Sequence, residues 1–411
     1  MGLAVVAANL VTLLFTVVFA RVLGTSGYGE LGVLVSAFLT LLIPGSALQV
    51  AIARELSVRP GPSTERLVRR AIRSVGLATV PVIAAAILLR EPTAAVLNVE
   101  AEWAAGAIVP SAWLWLLVSM QRGALQGVRS YRAVAASLVG EAVGRLGFGL
   151  LLYAVGMDVT GVFLGTAASL LVTFVVLEVL LDRRFGAARD PAGAAAGGAT
   201  LSAGGLRLLA AGTWAPMVSL SLIAVMQNVD LIVVKHQVSS AEAGVYAAAS
   251  LTAKVIVWVA VGLGFYLLPE AARRWNAGLD TRRLLARMLA LIAAAGIPIV
   301  VLYVLAGGTL LGAVFGSDYS SGATFLVWLA VAMTLLAFTY LSVQHLLARG
   351  RALFIWLLLA AAAGEPLLLG SFGADLLAVA TALAALQLAL AVIVLTLDFR
   401  TAATGSTEPP G

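Results

Sequence analysis

The sequence predicts an all-α membrane protein of about twelve transmembrane helices, arranged as two six-helix bundles in parallel repeat around a central cavity. Three observations carry this. Of 411 residues, 61% are hydrophobic and 11% charged, more apolar surface than a soluble domain can bury and too little charge to coat one. Apolar runs recur at close to the roughly 20 residues that a helix rising about 1.5 Å per residue needs to cross about 30 Å of hydrocarbon. The short alternating segments of a membrane β-barrel are missing, so the spans are helices.

The first span, 2–22, carries Asn9, a lone polar side chain read as glue between helices. It is not a cleaved signal, because Met1-Gly2 has no basic stretch and the run leads directly into the second span, 31–53. Between them lies ARVLGTSGYGELGVL, residues 20–34. A phosphate-binding loop would need GxxxxGK[ST] between a strand and a helix; here no strand precedes it, and Lys stands only at 235 and 254. Gly24, Gly27 and Gly29 are expected instead to make an external hairpin turn and to allow close helix packing.

Spans three and four follow at 72–90 and 103–121; Trp103, Trp113 and Trp115 read as interfacial or packing residues. Spans five and six, 133–156 and 159–181, complete an N-terminal bundle of residues 1–182. The Ala/Gly-rich stretch inside 183–206 has the composition of a flexible cytoplasmic linker. A second bundle, 207–398, holds spans at 208–234, 243–268, 286–306, 322–346, 352–372 and 375–397, followed by a tail, 399–411.

Basic residues in short loops stay on the cytoplasmic side, and here they follow every even-numbered span. Arg54 to Arg73, Arg122 to Arg132, Arg183 to Arg207, Arg273 to Arg287, Arg349 with Arg351, and Arg400 together account for 21 of the 26 cations. Both termini are therefore expected in the cytoplasm. Arg21, Arg90 and Lys235 lie on the opposite side, which leaves Arg145 and Lys254, each near the middle of a span. The pI near 10 thus reflects membrane topology and gives no sign of a nucleic-acid partner. With no cysteine there is no thiolate or disulfide chemistry. His236 and His345 are isolated and give no metal signature. No nucleophile with a paired base and no nucleotide motif is present, so neither an enzyme nor a cofactor is expected.

The halves repeat. At a shift of 215 residues, VLGTSGYGEL (22–31) aligns with QVSSAEAGVY (237–246), pairing Gly29 with Gly244, and Glu55 falls on Glu270. With two residues more, TERLVRR (64–70) meets TRRLLAR (281–287), and Pro81 meets Pro298. A series of matches in order marks homologous halves, and halves starting on the same side form parallel repeats whose site lies between them near the midplane. Gly29 and Gly244 are then both expected in external turns.

These residues carry a family resemblance. ARVLGTSGYGELGVL (20–34), MQRGALQGVRSYRA (120–133), QNVDLIVVKHQVSSAEAGVYAAAS (227–250) and FYLLPEAARRW (265–275) resemble the polysaccharide-transporter, Wzx-like flippase branch of the multidrug/oligosaccharidyl-lipid/polysaccharide exporter superfamily. The resemblance covers nearly all of 2–398. It implies two six-helix bundles about a central cavity, alternating access, and transfer of an undecaprenyl-pyrophosphate-linked oligosaccharide to the outer leaflet of a bacterial plasma membrane. Membrane lipids, and the glycan polymerase and glycosyltransferases of the same pathway, are the implied partners. Lipid II flippases of the superfamily usually carry fourteen helices. A multidrug or cation antiporter of the superfamily would call for deep acidic residues, whereas the mid-span surplus here is cationic.

A charge at the bilayer centre costs about 2.5 to 3.5 kcal/mol, so Arg145 and Lys254 are the first candidates for a substrate site. Glu141 precedes Arg145 by one helical turn, an order that favours an ion pair. Two readings stand side by side: a neutral structural pair with Gly140 and Gly144 packing the helix, or cations lining a lumen that attracts pyrophosphate. Asn228 and Asp230, toward the outer end of span seven, are further candidates, Asp230 being as suited to hold Lys235 or a helix end as to touch substrate. Glu365, before Pro366, is expected at the external rim.

The topology is open to test in this cysteine-free chain. Single cysteines at Ser26, Ser240 and Ser320 should react with an impermeant thiol reagent from outside, and those at Ser63 and Ser202 only after the membrane is opened. The reverse pattern would invert the orientation.

Overall fold

The computed structural model describes residues 2–185 and 214–404. Of the linker read at 183–206, residues 186–206 lie outside the described residues, as does the end of the tail. Nine apolar stretches among the described residues are long enough to cross a membrane. Two of them, Ala4–Val58 and Tyr131–Phe185, are 55 residues long and broken by left-handed backbone, at Gly24 (φ 66°) in one and at Gly156 (φ 85°) and Asp158 (φ 44°) in the other. Counting each as two and adding the shorter apolar helix Phe354–Gly370 gives twelve, as expected.

The first half runs α1 (Gly2–Thr40), α2 (Ile43–Val58), α3 (Pro62–Leu77), α4 (Thr79–Leu88), α5 (Arg90–Leu97), α6 (Glu102–Gly127), α7 (Tyr131–Leu152) and α8 (Asp158–Phe185). The second runs α9 (Trp214–Lys235), α10 (Ser240–Ala253), α11 (Val255–Asn276), α12 (Arg282–Phe315), α13 (Ala323–Ala348), α14 (Phe354–Gly370) and α15 (Leu376–Thr404). Large apolar side chains such as Leu77, Leu88, Leu305 and Leu367 point outward on many helices, as a chain surrounded by lipid requires. The protein is a multi-pass membrane protein.

Two elements differ from expectation. The third span was expected at 72–90, but helix begins at Pro62: α3 buries Val68, Ala71 and Ile72 and exposes Arg66, Arg70 and Arg73 on its other face, so a hydropathy count sees only the apolar part that follows. The loop expected after it carries a helix, α5, closed at Asn98 in the left-handed conformation (φ 51°).

Contacts divide the chain into two compact units, one of Met1–Leu23 with Val33–Met217, the other of Gly24–Gly32 with Val218–Gly411. In the first, α2, α3, α6 and α8 share a core of Ile52, Leu56, Val68, Ile72, Leu125, Leu177 and Leu181. There Arg69 of α3 pairs with Glu178 and Asp182 of α8, and Gln121 donates to Glu178 at 2.9 Å. In the second, α13 packs on α11, α12 and α15. There Asp398 of α15 takes hydrogen bonds from Arg349 at 2.7 Å and meets His345 Nδ1 at 2.8 Å, the far ring nitrogen of His345 lies 2.8 Å from Thr281 Oγ1, and the Trp275 ring stacks under Arg349. Each half thus ties its last helix, through an aspartate, to cations of an earlier one.

The expected turn around Gly29 is not a turn. Backbone leaves the helix only at Gly24 and is helical again from Thr25, so Gly29 sits inside α1 and Gly244 inside α10, whose start is closed by a Ser239–Glu242 capping box. The two glycines meet. A Cβ on Gly29 would clash with Ser240 O and lie 2.8 Å from Gly244 N; one on Gly244 would clash with Thr25 O and lie 3.1 Å from Gly29 N. Gly29 and Gly244 are related by the same shift of 215 as Thr25 and Ser240, so the contact is reciprocal. Tyr28, one residue before, packs edge-on against Tyr319 (5.9 Å).

Gly244→Val should therefore force this crossing apart at a cost of about 1 to 3 kcal/mol or more, whereas Gly140→Ala, at a position open for 4 Å around, should be neutral. Thermal unfolding of the detergent-purified protein checks both, and equal melting temperatures would refute the crossing.

Candidate functional site

Among the described residues, the candidates of the sequence fall into two buried polar clusters, one in each unit. In the first unit α6 continues through Pro110 to Gly127, so Arg122 lies inside the helix and not in the cytoplasmic loop where its place in the sequence put it. Its side chain is 1% exposed. Nε donates to Ser137 Oγ at 3.0 Å, and Nη2 to Ser137 O at 3.0 Å and to Glu141 Oε2 at 2.8 Å. Arg145 Nη2 donates to the other oxygen, Glu141 Oε1, at 2.8 Å. Trp115 lies with its ring 5.6 Å from the Arg122 guanidinium and donates its indole N–H to Leu42 O.

One carboxylate is thus gripped by two arginines, one along its own helix and one across from α6. The close approach of α7 and α8 comes from glycine: a Cβ on Gly144 would lie 2.9 Å from Ser169 Oγ, and Ser169 donates to Glu141 O at 2.6 Å. Gly140 has nothing near it, so of the two glycines only Gly144 packs the helix. Beside them opens a cavity of about 210 Å³, lined by Ser137, Gly140, Glu141, Ser169 and Thr173 among others. The cluster carries one more positive than negative charge. Arg122 Nη1 and Arg145 Nε have no protein partner, and the Arg145 side chain is 19% exposed while Glu141 is 5%.

In the second unit Asp230 of α9 is fully buried and accepts from Tyr246 Oη at 3.1 Å and Ser250 Oγ at 3.2 Å, both on α10. Tyr246 is held by stacking on Phe325, 5.6 Å between rings. Lys254 stands where α10 gives way to α11, inside what the sequence reads as one span, and Nζ donates to Asn228 Oδ1 at 3.3 Å. Asn228 in turn donates to Ala224 O at 2.8 Å. Glu365 of α14 and Gln387 of α15 complete the group, joined by Gln387 Nε2 to Glu365 Oε2 at 3.4 Å. Asp230 and Lys254 both lie close enough to Glu365 to act on it electrostatically.

The structure therefore brings Glu141 to Arg145 in one unit, and Asn228 and Asp230 to Lys254 in the other. Asp230 does not hold Lys235, whose amine bonds Ser240. Glu365 is not at the rim but fully buried, because α14 is short and Pro366 falls within it. The sequence reading missed Arg122, Ser137, Tyr246, Ser250 and Gln387; for Arg122 the uninterrupted helix through Gly127 was the available signal. Among the described residues no group of three or more His, Cys, Asp or Glu side chains could hold a metal ion.

The family described as "Polysaccharide biosynthesis protein" matches residues 1–273. Solved structures share the fold at low identity. A multidrug resistance MATE transporter of the MOP superfamily, inward-facing, is 12% identical with a TM-score of 0.80 over 98% of this chain and 96% of its own. The lipid II flippase MurJ, inward closed, is 11% identical, TM-score 0.72, over 98% and 90%. A MOP superfamily transporter from Pyrococcus furiosus, described by the reverse polarity of its binding pocket, is 12% identical, TM-score 0.68, over 98% and 94%. No curated protein matches the sequence.

If Glu141 is the counter-ion of both arginines, Glu141→Gln should cost about 3 to 5 kcal/mol, the usual penalty for stranding a buried charge. Arg122→Met combined with Glu141→Met should lose less than the sum of the two single changes. Unfolding midpoints of the four proteins decide it, strict additivity being the contrary result.

Proposed function

Because this chain belongs to the polysaccharide biosynthesis protein family, we propose that it is a flippase that carries a polyprenyl-pyrophosphate-linked oligosaccharide from the inner to the outer leaflet of a bacterial plasma membrane. In this reading both termini are cytoplasmic, each repeat supplies six helices, and alternating access exposes the cargo first to one leaflet and then to the other. No covalent step is needed.

The observation that carries the proposal is the uncompensated positive charge of Arg122–Glu141–Arg145 inside a membrane bundle. A diphosphate entering a medium of low dielectric constant needs an opposite charge, and a guanidinium can grip its oxygens with two parallel hydrogen bonds. Arg145 is the member with free surface to offer. Glu141 competes with the phosphate for it, which keeps binding weak enough for release. Lys254, paired with Arg145 as a second anion contact in the sequence reading, is set among Asp230, Asn228 and Glu365, and those neighbours favour a role in driving the cycle over one in holding cargo. The fold shared with a multidrug transporter supports a second reading, drug or cation export. The positive sign of the Arg122–Glu141–Arg145 cluster speaks against it.

Arg145→Ala, at normal membrane levels, should abolish or strongly reduce surface glycan export in a host that depends on this chain, and Arg145→Lys should recover part of it, since an ammonium lacks the forked geometry. Export at the normal rate by Arg145→Ala, or drug resistance conferred without any glycan phenotype, would overturn the proposal.

A further inference from the structure

The second cluster holds two carboxylates and one ammonium, all within the span region and all at or below 7% exposure. With every group ionised it would bury a net negative charge, which a membrane interior penalises by several kcal/mol. Three of its oxygens, Asp230 Oδ1, Glu365 Oε1 and Gln387 Oε1, are buried with no hydrogen-bond donor in the protein. The cluster is short of one positive charge and of at least one donor, and a single proton supplies both.

Geometry says where that proton sits. Asp230 Oδ2 already has two hydroxyl donors, from Tyr246 and Ser250. Lys254, whose Nζ donates to Asn228 Oδ1, stands near enough to offset one negative charge of the group. Glu365 receives only the long bond from Gln387, and its second oxygen receives none. The titratable groups that face it are Asp230 from α9, Tyr246 from α10 and Lys254 at the α10–α11 junction, while α15 contributes the neutral Gln387. Two of its neighbours, Lys254 and Pro366, mark places where the helix hydrogen-bond ladder is interrupted: α10 ends at Lys254, and Pro366 offers no N–H to the carbonyl one turn back.

We propose that Glu365 is a proton-binding site and that the proton it takes up and gives back, while Asp230 and Lys254 keep their present hydrogen bonds, is the coupling ion of the transport cycle. The carboxyl O–H forms when Glu365 gains a proton from water on one side and breaks when the proton leaves to the other; nothing is oxidised or reduced. A metal cation fits poorly, because the Lys254 amine, bonded to Asn228, already stands among the same carboxylates. The proton site stands on the resting structure alone; its use in coupling rests on the transport reading above.

Infrared difference spectra of the full-length protein in detergent, titrated with acid and base, test the site without any cargo. The wild type should show one carboxylic-acid C=O band from a group shielded from water; the band should be lost in Glu365→Gln and kept, at a shifted position, in Glu365→Asp. Sodium chloride added at constant pH should leave it in place. A band that survives in Glu365→Gln, or that moves with Asp230→Asn alone, would overturn the assignment, and loss of the band on adding sodium would make the site one for a metal cation. Proteoliposomes enclosing a pH-sensitive dye then read coupling: an imposed pH gradient should drive wild-type proton entry, absent in Glu365→Gln. If the band behaves as stated but the two proteins take up protons equally, the site stands and its coupling role fails; if proton uptake is lost while drug export alone responds, the fault lies with the cargo reading.

Discussion

Glu141 is the residue on which the first unit depends. A guanidinium in hydrocarbon is tolerated only where an opposite charge and hydrogen-bond acceptors meet it, and one carboxylate answers for two of them here, reached from α6 by Arg122 and along α7 by Arg145. The consequences run through the packing. Ser137 must stand one turn before Glu141 to take the rest of the Arg122 fork, Trp115 must cover the guanidinium face, and Ser169 must be close enough to bond the Glu141 carbonyl. That last contact needs Gly144, since a side chain there would collide with Ser169. A glycine that reads as a packing motif is thus the condition for a charge cluster.

Glycine sets the second constraint as well. Between lipid-facing helices the hydrophobic effect gives no preference for association, so contact rests on how closely backbones approach. Gly29 and Gly244 approach until neither could carry a Cβ, and they do so through matching atoms of matching residues. The sequence repeat placed these two glycines in correspondence but put them in turns. Gly29 is helical because Gly24 takes the left-handed backbone and frees the following residues to begin a helix at once, and Gly244 because the Ser239–Glu242 capping box opens α10 before it.

What was legible in the sequence is what depends on composition and order along the chain. Twelve apolar runs, their alternation with arginine and the repeat of Gly29 at Gly244 are properties of consecutive residues; the count of twelve holds, while Arg122 leaves its expected loop for the interior of α6. Helix ends are less legible, because an amphipathic stretch such as α3 continues a helix into the interface without raising its hydropathy. The pair Glu141–Arg145 could be read because its members are one turn apart, whereas Arg122–Glu141 joins two helices and has no spacing to betray it. For the same reason Gln387 escaped notice and Glu365 was placed at the rim: their significance lies in meeting Asp230 and Lys254, which are more than a hundred residues away. Single polar residues in membrane helices become interpretable only once their partners across the bundle are known.

The two clusters differ in sign, and the difference bears on how a carrier can both hold and release an anion. The Arg122–Glu141–Arg145 group has a surplus cation whose counter-ion is internal, so under the proposed function a phosphate would bind by replacing Glu141 at Arg145 and leave when Glu141 returns, and neither state would strand a charge in hydrocarbon. The Asp230–Lys254–Glu365 group has a surplus acid, so in the proposal above its protonated state is the compensated one, and losing the proton leaves a buried charge that the next proton answers. A charge that is always answered costs little to keep inside a membrane, and an answer that can be exchanged for another is what lets a buried charge take part in a cycle.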